Sequence, residues 1–170
     1  VKKNLKESVK FYEKASDPKL PEGDNPLGMY YLGLAHYNGT GVPINFKLAF
    51  KFFSMAADQE LFNAEYFVAG LLYYGEGVQQ NYSKAIKYYK KVVKHQEADE
   101  NYIVESYFKL GFCYLFGKGV KQNTKTAFRY LNKAIKSEHI EATYWLGYYY
   151  YDLWNKLEED DKEVGKKAYK

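Results

Sequence analysis

Apolar residues recur every three or four positions along most of the chain, and short polar connections separate the segments that carry them. An α-helix has about 3.6 residues per turn, so this spacing places the apolar side chains on one face of a helix. We divide the predicted helices into first and second helices, which alternate. First helices are predicted at 27–37, 63–74, 105–116 and 141–151, and second helices at 46–58, 82–95 and 124–137. The pattern predicts an all-α fold.

The tetrapeptide Gly-x-Gly-Val follows three of the first helices, at 39–42, 75–78 and 117–120. The second copy lies 36 residues after the first, and the third lies 42 residues after the second. An asparagine and then an alanine follow each copy at constant spacing: Asn45, Asn81 and Asn123, then Ala49, Ala85 and Ala127. Self-similarity at such a period is typical of repeat proteins built from stacked helix pairs.

Each repeat carries local signals for two helices. The first glycine of the tetrapeptide is suited to a left-handed helix end, and the asparagine can cap the free amides of the second helix. Small residues recur inside the first helices and predict close approach of the second helix at each of them: Gly33, Ala69, Gly111 and Gly147.

A single domain, 1–170, is predicted from these units. It comprises a half-repeat at 1–16, repeats at about 26–58, 62–95 and 103–137, and a degenerate repeat at 140–170, with loops at 16–26 and 95–102. The degenerate repeat lacks Gly-x-Gly-Val after Asp152, and its residues 161–170 are predicted as either a displaced second helix or a charged tail. A helix pair cannot bury its apolar face alone, so neighbouring pairs are expected to stack.

The repeated residues resemble the Sel1-like repeat, a relative of the tetratricopeptide repeat. The resemblance is carried by Leu32, Gly33, Gly39, Gly41, Val42, Asn45 and Ala49, by Ala64, Gly75, Gly77, Val78, Asn81 and Ala85, and by Leu110, Gly111, Tyr114, Gly117, Gly119, Val120, Asn123 and Ala127. His36, Leu72 and Ala69 depart from the usual pattern. The resemblance implies a right-handed α-α superhelix, or solenoid, of antiparallel helix pairs.

The same resemblance implies a non-enzymatic adaptor or scaffold that binds a partner protein or peptide. Members of the family act in endoplasmic-reticulum quality control, in chitin-synthase activation in fungi, and in bacterial signalling or host interaction. By analogy with related solenoids, aromatic and apolar positions of the first helices are expected to line a concave groove: Tyr30, Leu34, Tyr37, Tyr66, Tyr73, Tyr74, Phe108, Phe112, Phe116, Tyr144, Tyr148 and Tyr151. Packing between repeats is the alternative role for these rings.

Composition fits a folded chain, and no cluster of titratable residues recurs at catalytic spacing. Hydrophobic residues make up 46% of the 170 positions, and no uninterrupted apolar run reaches the roughly 18 to 20 residues of a membrane span. His36, His95 and His139 lack the spacing of metal ligands. Cys113 aligns with apolar helix positions of the other repeats, so a buried, structural thiol is predicted there. Gly-x-Gly-Val lacks the remainder of a phosphate-binding loop. No metal, cofactor or small-molecule substrate is predicted.

Charge suggests an alternative function. The net charge is +4, and two predicted second helices carry cationic stripes: Lys84, Lys87, Lys91 and Lys94, and Lys125, Arg129, Lys133 and Lys136. Stacked stripes could bind an anionic polymer or a membrane surface, although a solvated helix face accounts for the same pattern and nucleic acid is not favoured.

Two asparagines match the N-glycosylation pattern, Asn38 in Asn-Gly-Thr and Asn81 in Asn-Tyr-Ser. Glycosylation would place the chain in the endoplasmic-reticulum lumen, whereas the single cysteine favours the cytoplasm. Both compartments stay open.

Overall fold

A computed structural model describes residues 2–20, 23–95 and 97–168, with side chains at 4–20, 23–95 and 97–156. These residues form α-helices and no β-strand. The helices are α1 (Lys2–Ala15), α2 (Pro26–Asn38), α3 (Phe46–Asp58), α4 (Phe62–Tyr74), α5 (Tyr82–Val92), α6 (Glu100–Phe116), α7 (Thr124–Lys136) and α8 (Ile140–Ala168). Consecutive helices pack against each other along the whole series. The predicted all-α solenoid of helix pairs is confirmed, and its treatment as one domain stays a prediction.

The helix pairs α2–α3, α4–α5 and α6–α7 are joined in the same way. Gly39, Gly75 and Gly117 end the first helices in the left-handed region, with φ of 71°, 77° and 69°. The asparagine side chains then cap the second helices, where Asn45 Oδ1 accepts a hydrogen bond from Leu48 N at 3.0 Å and Asn123 Oδ1 from Thr126 N at 2.8 Å. The predicted glycine ends of the first helices and the predicted asparagine caps of the second helices are both confirmed.

The second glycine of each tetrapeptide joins one repeat to the preceding one. A Cβ on Gly119 would lie 2.5 Å from Tyr82 Cβ and 2.6 Å from Ser83 N, at the start of α5. A Cβ on Gly41 would lie 2.7 Å from Leu5 O in α1, and Gly77 packs in the same way on the first turn of α3. All three glycines have positive φ. The tetrapeptide is therefore a stacking contact as well as a turn.

The core fills the space between first and second helices. Phe53 in α3 is fully buried, and a Cβ on Gly33 would lie 2.7 Å from its ring. Leu131 in α7 packs on Gly111 at the same distance. Close helix approach at these two glycines agrees with the prediction.

Gly147 does not have the predicted role, because nothing lies within 4 Å of the position that its Cβ would occupy. The reason lies in α8, which runs as one helix from Ile140 to Ala168, so that within the described residues no second helix folds back on it. Leu153 occupies the position equivalent to Gly117, and leucine does not favour a left-handed helix end. Residues 161–168 continue the helix, and 169–170 lie outside the described residues.

Gly147→Ala is expected to stabilise the protein by about 0.5–1 kcal/mol, since alanine is the better helix former and finds open space here. Urea unfolding followed by circular dichroism measures the change. Gly111→Ala is the matched control and is expected to destabilise, because its Cβ would meet Leu131. A lower free energy of unfolding for Gly147→Ala would contradict the open environment.

The α5–α6 connection also differs from the prediction. Helix α5 ends at Val92 rather than at residue 95, and α6 begins at Glu100, one turn before the position equivalent to the start of α4. Asp99 caps this early start, where its Oδ1 accepts a hydrogen bond from Asn101 N at 2.9 Å. The added turn places Tyr102 on a helix within a segment predicted as a loop.

Candidate interaction surface

The twelve predicted groove residues fall into three classes of exposure. Tyr30, Tyr73 and Phe108 are 7%, 8% and 6% exposed and belong to the core, so their predicted place in an open groove is wrong. Leu34, Tyr37, Tyr66 and Phe112 are half-buried. Tyr74, Phe116, Tyr144, Tyr148 and Tyr151 are exposed. A binding role for these nine stays a prediction.

Tyr102 contacts two rings of the predicted groove, Tyr30 and Tyr66. Its ring stacks on Tyr66 at 4.4 Å between centroids and meets Phe67 edge-on at 5.4 Å. Its hydroxyl lies 3.5 Å from that of Tyr30. Burial raises the pKa of Tyr30 and of Tyr66, so both phenols stay protonated. These contacts support the alternative role for Tyr30 and Tyr66, which is packing between repeats.

Aromatic side chains remain accessible farther along, between α6 and α8. We define the α6–α8 aromatic surface as Phe112, Phe116, Tyr144, Trp145 and Tyr148. The centroid of the Trp145 ring lies 5.0 Å from that of Phe112, 5.4 Å from those of Phe116 and Tyr144, and 5.7 Å from that of Tyr148. All four rings meet Trp145 edge-on. Trp145 therefore holds the other four rings in one contiguous patch.

A polar network borders this surface. Lys109 Nζ donates to Tyr74 Oη at 2.8 Å and pairs with Glu105 Oε1 at 3.0 Å. Glu105 Oε2 accepts from His139 Nε2 at 2.8 Å, while His139 Nδ1 accepts from Ala142 N, which assigns the hydrogen of the neutral ring to Nε2. The network links α4, α6 and the start of α8.

Electrostatics keep the carboxylate and the ammonium of this network charged. Burial raises the pKa of Glu105, but the hydrogen bond from His139 and the attraction of Lys109 outweigh it, and the pKa falls below its ordinary value. Burial lowers the pKa of Lys109, but its bonds to Tyr74 and Glu105 outweigh that effect and raise the pKa. The Nζ of Lys109 also lies over the rings of Tyr73, Tyr74 and Phe108 at 4.9–5.5 Å.

Sequence reasoning missed Trp145, Lys109 and Tyr102. Trp145 and Lys109 occupy one repeat position together with Tyr31 and Phe67, directly after the predicted groove position of Tyr30. Extending the repeat alignment by one column would have found Trp145. Tyr102 lies in the added turn of α6 and has no equivalent in the other repeats.

The remaining candidate residues are structural in this fold. Cys113 is fully buried, and burial raises the pKa of its thiol to about 11. The His36 ring stacks on Phe52, and the His95 ring stacks on Phe62. Over the described residues, no group of three His, Cys, Asp or Glu side chains could hold a metal ion.

The two asparagines of the glycosylation pattern lie at helix ends. Asn38 is the exposed last residue of α2, and Asn81 caps α5, where its Oδ1 accepts a hydrogen bond from Lys84 N at 2.9 Å. Glycosylation of either residue stays a prediction. None of the helices in the described ranges has both the length and the hydropathy of a membrane span.

The repeated geometry has counterparts among known proteins. The sequence matches the Sel1 repeat family over residues 1–17, 26–61, 63–92, 104–139 and 140–163. This chain belongs to the Sel1 repeat family. Proteins with Sel1 repeats generally mediate protein–protein interactions and are typically non-enzymatic scaffolds. No curated protein matches the chain.

Solved Sel1-type structures share the fold. A Sel1 repeat protein from Oxalobacter formigenes is 32% identical with a TM-score of 0.68, over 86% of this chain and 56% of that one. A protective antigen of uropathogenic Escherichia coli with an SLR fold is 26% identical with a TM-score of 0.66, over 78% of this chain and 26% of that one. Helicobacter pylori cysteine rich protein B is 24% identical with a TM-score of 0.56, over 84% of this chain and 95% of that one. This Sel1 repeat chain thus spans about half of the first of these proteins and a quarter of the second.

Proposed function

We propose that this Sel1 repeat protein is a non-enzymatic adaptor that holds a segment of a partner protein on the α6–α8 aromatic surface. The carrying observation is the contiguous patch around Trp145, in which Phe116 and Tyr148 are 40% and 45% exposed. Exposed aromatic rings that are held in fixed positions are favourable anchors, because little side-chain entropy is lost on binding.

The chemistry of the surface indicates the kind of segment it would take. Phe112, Phe116 and Trp145 offer apolar contact, whereas the hydroxyls of Tyr144 and Tyr148 can bond to a peptide backbone. Lys109 is already paired with Glu105, so the adjacent network adds little net charge. A peptide with apolar anchors fits such a surface better than a strongly charged one. Endoplasmic-reticulum quality control or signalling are the settings that we propose for this adaptor.

Selection from a phage-displayed library of random linear peptides tests the proposal directly. Peptides with apolar anchors are expected to be selected, and Phe116→Ala/Tyr148→Ala is expected to weaken their binding at least about tenfold. Both side chains are exposed, so the helical content should be unchanged. Phe11→Ala/Ile44→Ala is the matched control, because it removes two exposed apolar side chains elsewhere and should change affinity less than about twofold. Failure to select any peptide, or equal losses in both variants, would reject the proposal.

A further inference from the structure

Two second helices carry an unusual concentration of positive charge. Neither α5 nor α7 contains an aspartate or a glutamate. Their cations are Lys84, Lys87, Lys90 and Lys91 in α5 and Lys125, Arg129, Lys133 and Lys136 in α7. The chain as a whole has a net charge of only +4, so positive charge is concentrated on these two helices. Such segregation creates a local potential that favours anions.

A cleft lies between α5 and α7, and α6 contributes to its lining. Its volume is about 380 Å³. We define the cation–tyrosine cleft by six of its lining residues, Lys90, Lys94, Arg129, Lys133, Tyr107 and Tyr130. Among the described side chains that line it, none is acidic. None of these six residues belongs to the α6–α8 aromatic surface.

Two of the four cleft cations are held in place by tyrosine hydroxyls without being neutralised. Lys90 Nζ donates to Tyr114 Oη at 2.7 Å, and Lys133 Nζ donates to Tyr107 Oη at 3.4 Å. In the ranges with described side chains, none of the four cleft cations forms an ion pair with a carboxylate. An incoming anion would therefore meet two oriented ammonium groups, Lys90 and Lys133, and displace no protein carboxylate.

The tyrosine rings of the cleft have little free surface for stacking. Tyr130 stacks on Tyr107 at 6.2 Å and on Tyr114 at 6.0 Å between centroids. Lys133 lies over the Tyr107 ring at 4.7 Å, and Arg129 over the Tyr130 ring at 5.4 Å. Binding of single-stranded nucleic acid depends on ring faces on which bases can stack. Occupied ring faces favour a ligand that is recognised by its charge alone.

We propose that the cation–tyrosine cleft binds an acidic segment of a partner polypeptide. Carboxylates of that segment would pair with Lys94, Arg129 and Lys133 at the surface and with the half-buried Lys90 farther in. Arg129 can hold one carboxylate through two parallel hydrogen bonds. A bilayer surface fits less well, because Lys90 is recessed against Tyr114 and a flat array of headgroups reaches protruding side chains first. The proposal thus narrows the two predicted cationic stripes to one cleft and one class of ligand, an acidic polypeptide segment.

Fluorescence anisotropy with a labelled glutamate-rich peptide tests this site. Arg129→Gln/Lys133→Gln is expected to weaken binding about tenfold at low salt, since two of four cations are lost. The control, Lys47→Gln/Lys51→Gln, removes the same charge from exposed positions of α3 and should change affinity less than about twofold. Lys94→Gln is a second cleft variant, at an exposed residue, and should weaken binding without changing the helical content.

Three outcomes would overturn the assignment. The first is no binding of the peptide by the unmodified protein, and the second is an equal loss in the cleft and control variants, which would indicate only the overall field. The third is tighter, cleft-dependent binding of an oligonucleotide or of phosphatidylserine vesicles. Phe116→Ala/Tyr148→Ala should bind the acidic peptide normally, so failure of this site and failure of the aromatic surface are distinguishable.

Discussion

Replacing Gly119 by alanine is expected to lower the free energy of unfolding by about 3–5 kcal/mol, whereas Gly117→Ala should cost only about 1–2 kcal/mol. Both glycines have positive φ, 66° and 69°, so both variants incur the strain of an L-residue in the left-handed region. The difference lies in the surroundings. A Cβ on Gly119 would meet Tyr82 and Ser83 of α5 at 2.5 and 2.6 Å, but one on Gly117 would meet Gln122 Cβ at an ordinary 3.5 Å.

Urea unfolding of the two variants, followed by circular dichroism, separates strain from stacking. The excess loss in Gly119→Ala measures the cost of moving one repeat away from the preceding one, because the backbone at Ser83 cannot yield as a flexible side chain would. Equal losses in the two variants would show that left-handed strain is the whole effect and that the contact with α5 is unimportant.

Phe53→Ala is expected to destabilise the protein by about 3–5 kcal/mol, as truncation of a fully buried phenylalanine usually does. The Phe53 ring packs on Gly33 in α2 and stacks on Phe67 in α4 at 4.6 Å between centroids. One side chain thus fills the space within its own helix pair and also contacts the next pair. Loss of the ring should weaken the packing within the α2–α3 pair and the contact with α4. The melting temperature and the urea midpoint should therefore fall together.

Phe52→Ala is the neighbouring control for this substitution. Phe52 is half-buried and stacks on His36, so its truncation should cost about 1–2 kcal/mol. A cost for Phe53→Ala as small as that for Phe52→Ala would mean that the space beside Gly33 collapses readily when the ring is removed.

Much of the fold could be predicted because its signals are local. The caps at Asn45 and Asn123 and the left-handed ends at Gly39 and Gly117 depend only on residues within the same turn. Repetition then strengthened each signal, since the same residues recur at matching positions. The bounds of α3, Phe46–Asp58, coincide with the predicted segment 46–58.

The misplaced elements depend on context that spacing does not reveal. Helix α8 continues because Leu153 stands where the other repeats have glycine, and leucine does not favour a left-handed helix end. Helix α6 starts early because Asp99 caps it, and the polar, acidic sequence there reads equally well as a loop. A prediction made by repeat alignment is least reliable where a repeat gains residues or loses its glycine.

The candidate surface could be predicted only in part for a related reason. Position in a helix indicates which way a ring points, and Phe116 and Tyr148 are exposed on the first helices as expected. Whether a neighbour covers that ring is decided by distant residues. Tyr102 reaches Tyr30, which lies 72 residues earlier in the sequence, and no local pattern indicates this contact.

That contact changes how the repeats share their stability. In an ideal solenoid each repeat touches only its neighbours, so a terminal repeat can unfold while the rest persists. Here α6 reaches over α4 to α2, through Tyr102 and Tyr30. Opening α2 therefore disrupts a contact two repeats away, and the first three repeats should exchange their amide hydrogens and unfold more cooperatively than a chain of nearest-neighbour contacts would.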